Sequence, residues 1–166
     1  MKDLDYNEDG VKIVDNDLIA RLILKSRSSP RRRHNICLNT EKSDLIQRMA
    51  MALQPDSYIQ AHKHENPDKR ELFTIYQGEL VIITYKENGD LLSKYHLTPE
   101  TIRTIELRPR IYHSIIATKP DTVVFEIKDG PWESVEKDKT FAPWMPSEDS
   151  PEAEEYFNTL KERLGL

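Results

Sequence analysis

Residues 61–78, AHKHENPDKRELFTIYQG, place two histidines one residue apart, His62 and His64, ahead of an acid, Glu71, and a glycine, Gly78. If residues 58–64 are extended, side chains alternate between faces and both imidazoles point the same way. They would then stand roughly 6.5–7 Å apart along the strand. From there both can converge on one ion, with metal–nitrogen bonds of about 2.0–2.1 Å. Glu71 opens the next apolar run, ELFTIY; paired back antiparallel on the histidine strand, it would offer an oxygen ligand to the same ion. His113 is the candidate for a further imidazole. The competing reading is an ordinary His-x-His on a surface strand, beside the polar loop ENPDKR. Three imidazoles and a carboxylate leave positions open on a five- or six-coordinate ion, which separates a catalytic site from a structural one. The mixed nitrogen and oxygen set suits one divalent transition metal: Zn, Fe, Mn, Ni or Co.

Other residues could work around that ion. Glu126 and Lys128 share a strand face with Val124. If that face is inward, Glu126 is a general base or a group behind the ligands, and Lys128 or Arg48 could hold a phosphate or carboxylate. The alternative is an ion pair on the exterior. The basic run Arg31, Arg32 and Arg33 is either a solvated loop or an anion-binding lip. Tyr58 and Tyr112 could donate hydrogen bonds near the metal or simply pack. His34 and His96 have no partner at ligand spacing. Cys37, in ICLN, reads as part of a short buried strand.

The elements that must position these residues are mostly short strands. Residues 16–25, NDLIARLILK, have helical spacing, with Asn16 or Asp17 as cap. Residues 45–54 read as a strand in which Met49, Met51 and Leu53 alternate with Arg48, Ala50 and Ala52. Further strands are expected over 71–77, 79–86, 91–97, 101–107, 113–118 and 122–128, with Asn88-Gly89 as a hairpin turn of residues that tolerate positive φ. Such spacing suggests a sandwich or barrel rather than alternating β-α units. Trp132 and Trp144, beside prolines, are expected to plug or cover one end. Ser150-Pro151 reads as a helix start, followed by an apolar stripe of Ala153, Tyr156, Phe157, Leu160 and Leu164 that Gly165 closes.

Composition narrows the class. The chain has 166 residues, 32% charged and 37% hydrophobic, with a net charge of −5. That predicts one domain, no general affinity for nucleic acid and no membrane span. The polar, acidic start is unlike a signal peptide. The single cysteine fits a reducing cytoplasm rather than a disulfide framework.

With His62, His64, Glu71, Gly78, Pro109 and His113 set among many short strands, the chain resembles the metal-binding cupins. Their first motif has paired histidines, a glutamate and then a glycine, and Glu71 and Gly78 keep that last spacing. Their second has a proline ahead of a third histidine, as Pro109 stands ahead of His113. The departures concern turns: PDSY replaces the leading glycine of the first motif, the gap from His64 to Glu71 is longer, and PRIYH lacks the glycine of the second. None removes a ligand. Over residues 31–148 the chain is similar to the WbuC family of cupin-fold metalloproteins, through QRM with ALQP, SYIQAHKH, EIKDGPW and K-x-FAPWMP-x-E.

The resemblance implies an all-β fold: a cupin double-stranded β-helix, or jelly-roll, barrel over 31–148. An extension with a short helix precedes it over 1–30 and a helix follows over 149–166. It implies a metal site in that barrel, an association with surface polysaccharide (O-antigen) biosynthesis in bacteria, and a homodimer, with the two terminal helices as surfaces to inspect. It implies no reaction. The expected function is therefore a metal-binding cupin acting on a small sugar-type or nucleotide-sugar metabolite, with isomerase or epimerase as the reaction class and an anionic or sugar-like ligand. The alternatives are a metal-dependent oxygenase of a small carbonyl compound, which needs Fe(II) and oxygen, and a non-catalytic small-ligand-binding module, which binds without turnover.

Overall fold

The computed structural model describes residues 4–166; residues 1–3, the start of the acidic stretch expected to be loosely held, lie outside them. The chain opens with helix α1 (Asn16–Ser28). Its cap is Asp15, one residue before the expected positions, whose carboxylate accepts the Leu18 N–H at 2.8 Å. An N-cap oxygen satisfies a backbone donor that the first turn leaves without a partner.

Ten strands follow, arranged as two five-stranded sheets. The first sheet has the order β1 (Arg33–Cys37), β2 (Ile46–Leu53), β9 (Thr122–Asp129), β4 (Glu71–Gln77), β7 (Thr104–Leu107). The second has the order β10 (Thr140–Phe141), β3 (His62–Lys63), β8 (Tyr112–Ala117), β5 (Leu80–Tyr85), β6 (Leu91–Leu97). The pairings between these strands are antiparallel. From β2 onward the chain changes sheet at nearly every connection, and that winding makes the double-stranded β-helix of a cupin.

Side-chain alternation sorts the residues into three layers. Between the sheets lie Met51, Leu53, Phe73, Ile75, Leu80, Ile82, Leu97, Leu107, Ile115 and Val124. Outside the first sheet, Leu18, Ile19 and Leu22 of α1 cover Ile36, Ala50, Ala52 and Val123. Outside the second, helix α3 (Ala153–Leu164) lays Phe157, Leu160 and Leu164 on Val81, Ile83, Tyr85, Tyr112 and Ile116. Strands β5 and β8 are buried at every position because they are covered on both faces. The apolar stripes of both terminal helices are therefore packed within the chain. No helix among the described residues is long and apolar enough to cross a membrane.

Several local expectations are corrected. In the Asn88-Gly89 turn only Gly89 has a positive φ, +90°. Ser150 and Pro151 form a turn ahead of α3 rather than its first residues. Trp144 packs outside the barrel, against Tyr85 and Tyr112 and over Gly89, so it closes no barrel end. Trp132 does lie at the mouth, under the Lys42 ammonium. Tyr58 and Tyr112 turn outward: the Tyr58 hydroxyl donates to the Pro146 carbonyl at 2.7 Å, and the Tyr112 ring lies beneath the Lys63 ammonium. Arg31 and Arg33 both bond Glu148 Oε2 at 2.6 Å, Arg33 largely covered and Arg31 still exposed. This ties the end of the segment that holds α2 (Val135–Asp138) and β10 back to β1.

Two outcomes follow. Gly78 has φ +79°, and a Cβ there would stand 2.8 Å from Thr122 Cα. Gly78→Ala therefore combines backbone strain with a backbone overlap, and chemical denaturation should show a loss of about 2–3 kcal/mol. For Glu148, burial raises the carboxyl pKa, but the Arg33 and Arg31 guanidiniums outweigh it and hold the pKa below the ordinary value. A carboxylate with a lowered folded pKa stabilises above its unfolded pKa and loses that contribution as pH falls through the folded one. Glu148→Gln should cost about 1–2 kcal/mol at neutral pH, and urea titrations should show the gap to wild type closing below about pH 4.

Candidate metal centre

His62 and His113 sit directly opposite each other on the paired strands β3 and β8. His64 follows β3 immediately, and Glu71 begins β4. The expectation that Glu71 pairs back on the histidine strand is corrected here: β4 belongs to the other sheet, so the carboxylate reaches the histidines from across the barrel. All four side chains are buried, and one ligand atom from each lies within 4.8 Å of the others.

The imidazoles are aimed by their far nitrogens. Nδ1–H of His62 donates to the Gln60 carbonyl at 3.1 Å, that of His64 to the Asp138 carbonyl at 2.5 Å, and that of His113 to the Ile111 carbonyl at 3.0 Å. A carbonyl only accepts, so each proton is on Nδ1 and each Nε2 presents a lone pair. His64 Nε2 stands 3.3 Å and His113 Nε2 2.8 Å from Glu71 Oε2. Buried His113 Nε2 nevertheless has no partner with hydrogen-bond geometry. Around an ion with bonds of about 2.1 Å, ligand atoms are separated by roughly 3–4 Å. The donor set, its tautomers and the orphaned nitrogen fit a divalent transition metal.

A further backbone device holds the histidine strand. Arg110 occupies the place where the resembled motif has glycine, and it adopts φ +66°. A side chain pays roughly 1–2 kcal/mol for that conformation. The Arg110 N–H donates to the His64 carbonyl at 3.0 Å, and its guanidinium bonds Asp68 at 2.8 Å. The strained residue thereby links the segment before His113 to His64.

Behind the ligands lies a buried charge network. Lys128 bonds Asp138 at 2.7 Å and lies 3.7 Å from Glu126 and 3.8 Å from Glu71. Asp138 also takes Lys69 at 2.7 Å. Burial would raise the pKa of Glu71, yet His113, His64 and Lys128 hold it well below the usual range. Burial and the nearby Glu71 charge push Glu126 up to about 8. For Lys128, burial lowers the pKa, but the charges of Glu126, Glu71 and Asp138 raise it overall. His62 is lowered, first by burial and then by the charge of Lys139.

The site opens into a cavity of about 370 Å³. Across the first sheet its wall is a ladder: Gln47, Lys128 and Glu71 form one row, and Met49, Glu126 and Phe73 the next. Glu126 and Lys128 thus face inward with Val124. Arg48 does not join them. It lies on the opposite face of β2, with a 41% exposed side chain 3.6 Å from Asp44, because Gln47 and Met49 take the inward positions. Lys139, Asp138 and Cys37 line the cavity as well. Sequence reasoning gave Asp138 no role, and Lys139 appeared only as the first residue of K-x-FAPWMP-x-E. His34 lies outside the cavity, and His96 approaches Glu79 at 3.3 Å on the surface.

Comparison with known folds agrees with this architecture. CapF crystallised with the inhibitor 3-isopropenyl-tropolone superposes with a TM-score of 0.55 at 18% identity, over 64% of this chain and 30% of CapF. The capsular polysaccharide assembling protein CapF from Staphylococcus aureus gives 0.51 at 19% identity, over 60% of this chain and 27% of its own. Oxalate oxidase in complex with the substrate analogue glycolate gives 0.52 at 14% identity, over 84% of this chain and 68% of its own. This chain spans less than a third of the CapF chains, and the likeness is one of fold. A search of curated proteins finds no match. The model of a domain of unknown function, DUF6016, matches residues 14–97, from within the N-terminal segment through β6, including His62, His64 and Glu71. With half its length so matched, the chain belongs to the DUF6016 family, on a cupin barrel.

Proposed function

We propose that this protein is a metal-dependent cupin acting on a small anionic, sugar-type metabolite in surface polysaccharide (O-antigen) biosynthesis. The observation that carries the reading is the set of three Nδ1-anchored imidazoles and Glu71 at the wall of a closed-in cavity. His62, His64, Glu71 and His113 would hold the ion. A metal bound there supplies a Lewis acid for a substrate oxygen or for water. Glu126 faces the same space and is the group placed to exchange a proton with a bound substrate. Lys128 spends its ammonium on Asp138 and so holds Glu71 and Glu126 in place rather than gripping a substrate. Met49, Met51, Phe73 and Ile115 supply an apolar wall for a sugar-sized body.

The polysaccharide setting is supported by the WbuC resemblance, whose two most distinctive segments contribute Glu126, Lys128, Trp132, Lys139, Phe141 and Glu148 to the cavity lining. CapF, a fold neighbour, is a capsular polysaccharide assembling protein, a related setting. The single cysteine supports a cytoplasmic location in this reading, and the resemblance to cupins supports a homodimer.

The test is elemental analysis of protein purified without chelator or immobilised-metal resin, beside a His62→Ala/His64→Ala variant. Wild type should hold one equivalent of a transition metal and the variant almost none. Iron would transfer the reading to the oxygenase of small carbonyl compounds; zinc, manganese, nickel or cobalt keeps the sugar reading. A metal-free wild type that takes up none of these ions on titration overturns it. Stripping the ion with a chelator should lower Tm by about 5 °C or more, because an ion bound only by the folded state adds a few kcal/mol.

A further inference from the structure

Lys139 is the one cavity-lining cation that the site leaves without a partner among the described residues. Lys128 is bonded to Asp138, and Arg31 and Arg33 to Glu148, while Lys42 lies over the Trp132 ring at the cavity mouth. Lys139 makes no side-chain hydrogen bond or ion pair among the described residues, yet it lines the cavity together with His62, Glu71 and Glu126. Its backbone is fixed on both sides. Asp138 is pinned by Lys69 and Lys128, the Lys139 N–H donates to the Val135 carbonyl at 2.9 Å, and Thr140 pairs with Lys63 in the second sheet. A shielded ammonium with no directly bonded counter-charge is costly. Here burial and the Lys128 charge press its pKa below the ordinary lysine value, and the charges of Glu71, Glu126 and Asp138, none of them bonded to it, offset that only in part. A positioned cation left in that state is an anion site waiting for its anion.

We propose that Lys139 is the substrate-binding residue that receives the oxyanion head, carboxylate or phosphate, of a small sugar-sized ligand in the metal cavity. This rests on the metal-cupin reading and names its ligand class. It also moves the anion-holding role from Arg48, which faces away, and from Lys128, which is neutralised within the protein. The neutral body of the ligand would lie along Met49, Met51 and Ile59, with Phe141 of β10 lining the same cavity.

The experiment is calorimetric titration of the full chain with glucuronate, glucose 1-phosphate and glucose, on wild type, Lys139→Met and Lys139→Arg, with metal content measured in each. Wild type should bind at least one of the two anions about tenfold or more tighter than glucose. Lys139→Met should lose that preference and Lys139→Arg keep part of it. Which anion is preferred identifies the head group. An unchanged preference in Lys139→Met overturns the proposal, as does a wild type that binds neither anion better than glucose. Should Lys139→Met fail to fold, wild type carrying ¹⁵N-labelled lysine takes its place. The Nζ resonance missing in Lys139→Arg must then move with an anion and not with glucose. A metal-loaded protein whose anion preference survives Lys139→Met sinks this inference alone; a protein that takes up no metal sinks the reading beneath it.

Discussion

The constraint on which the rest depends is the neutralisation of charge inside the barrel. Glu71, Glu126, Lys128, Asp138 and Lys69 are all buried. Each alone would cost several kcal/mol to remove from water. Together they form a chain in which Lys128 serves three carboxylates and Asp138 serves two ammoniums. Glu71 is thereby kept as an anion at the place where three lone pairs converge. Without Asp138, Lys69 and Lys128 would lose the carboxylate they share, and the buried network behind Glu71 would carry an excess of positive charge.

The two-sheet arrangement gives that chain its geometry. His62 and His113 come from the second sheet and Glu71, Glu126 and Lys128 from the first, so the cluster spans the barrel. Each sheet is stiffened from behind by a helix, α1 on one and α3 on the other. The apolar middle of the sandwich lies at one end of the ladder, and its polar rows lie at the other. Moving along β9 from Val124 to Glu126 to Lys128 takes the wall from core to cavity to charge network.

Much of this was legible in the sequence. The four candidate ligands come together because their types and spacing reported strand ends aimed at one point. The strand periodicity of residues 46–53 separated Met49 and Met51 from Arg48, Ala50 and Ala52. It did not say which face was inward, since α1 covers the other face and both carry apolar residues. Arg48 was misjudged for that reason: it occupies the exposed end of the α1-covered face. Asp138 and Lys139 were not legible as site residues. They lie in a segment without helical or strand period, and tertiary bonds alone place them. Arg110 illustrates the same limit, since a missing motif glycine gave no sign that an arginine would take up its conformation.

The segment after β9 has a consequence for how the protein is made. It supplies the carbonyl that orients His64, the counter-charge for Lys69 and Lys128, the cavity lysine, and the glutamate that fastens the rim to β1. The stretch that defines the family, residues 14–97, ends before His113 and before all of these. As the chain leaves the ribosome, three of the four ligands are therefore synthesised before the carbonyl that orients His64 and the carboxylate that neutralises Lys69. The centre is completed only when the C-terminal third arrives, so a nascent or truncated chain carries the family's signature without a working site.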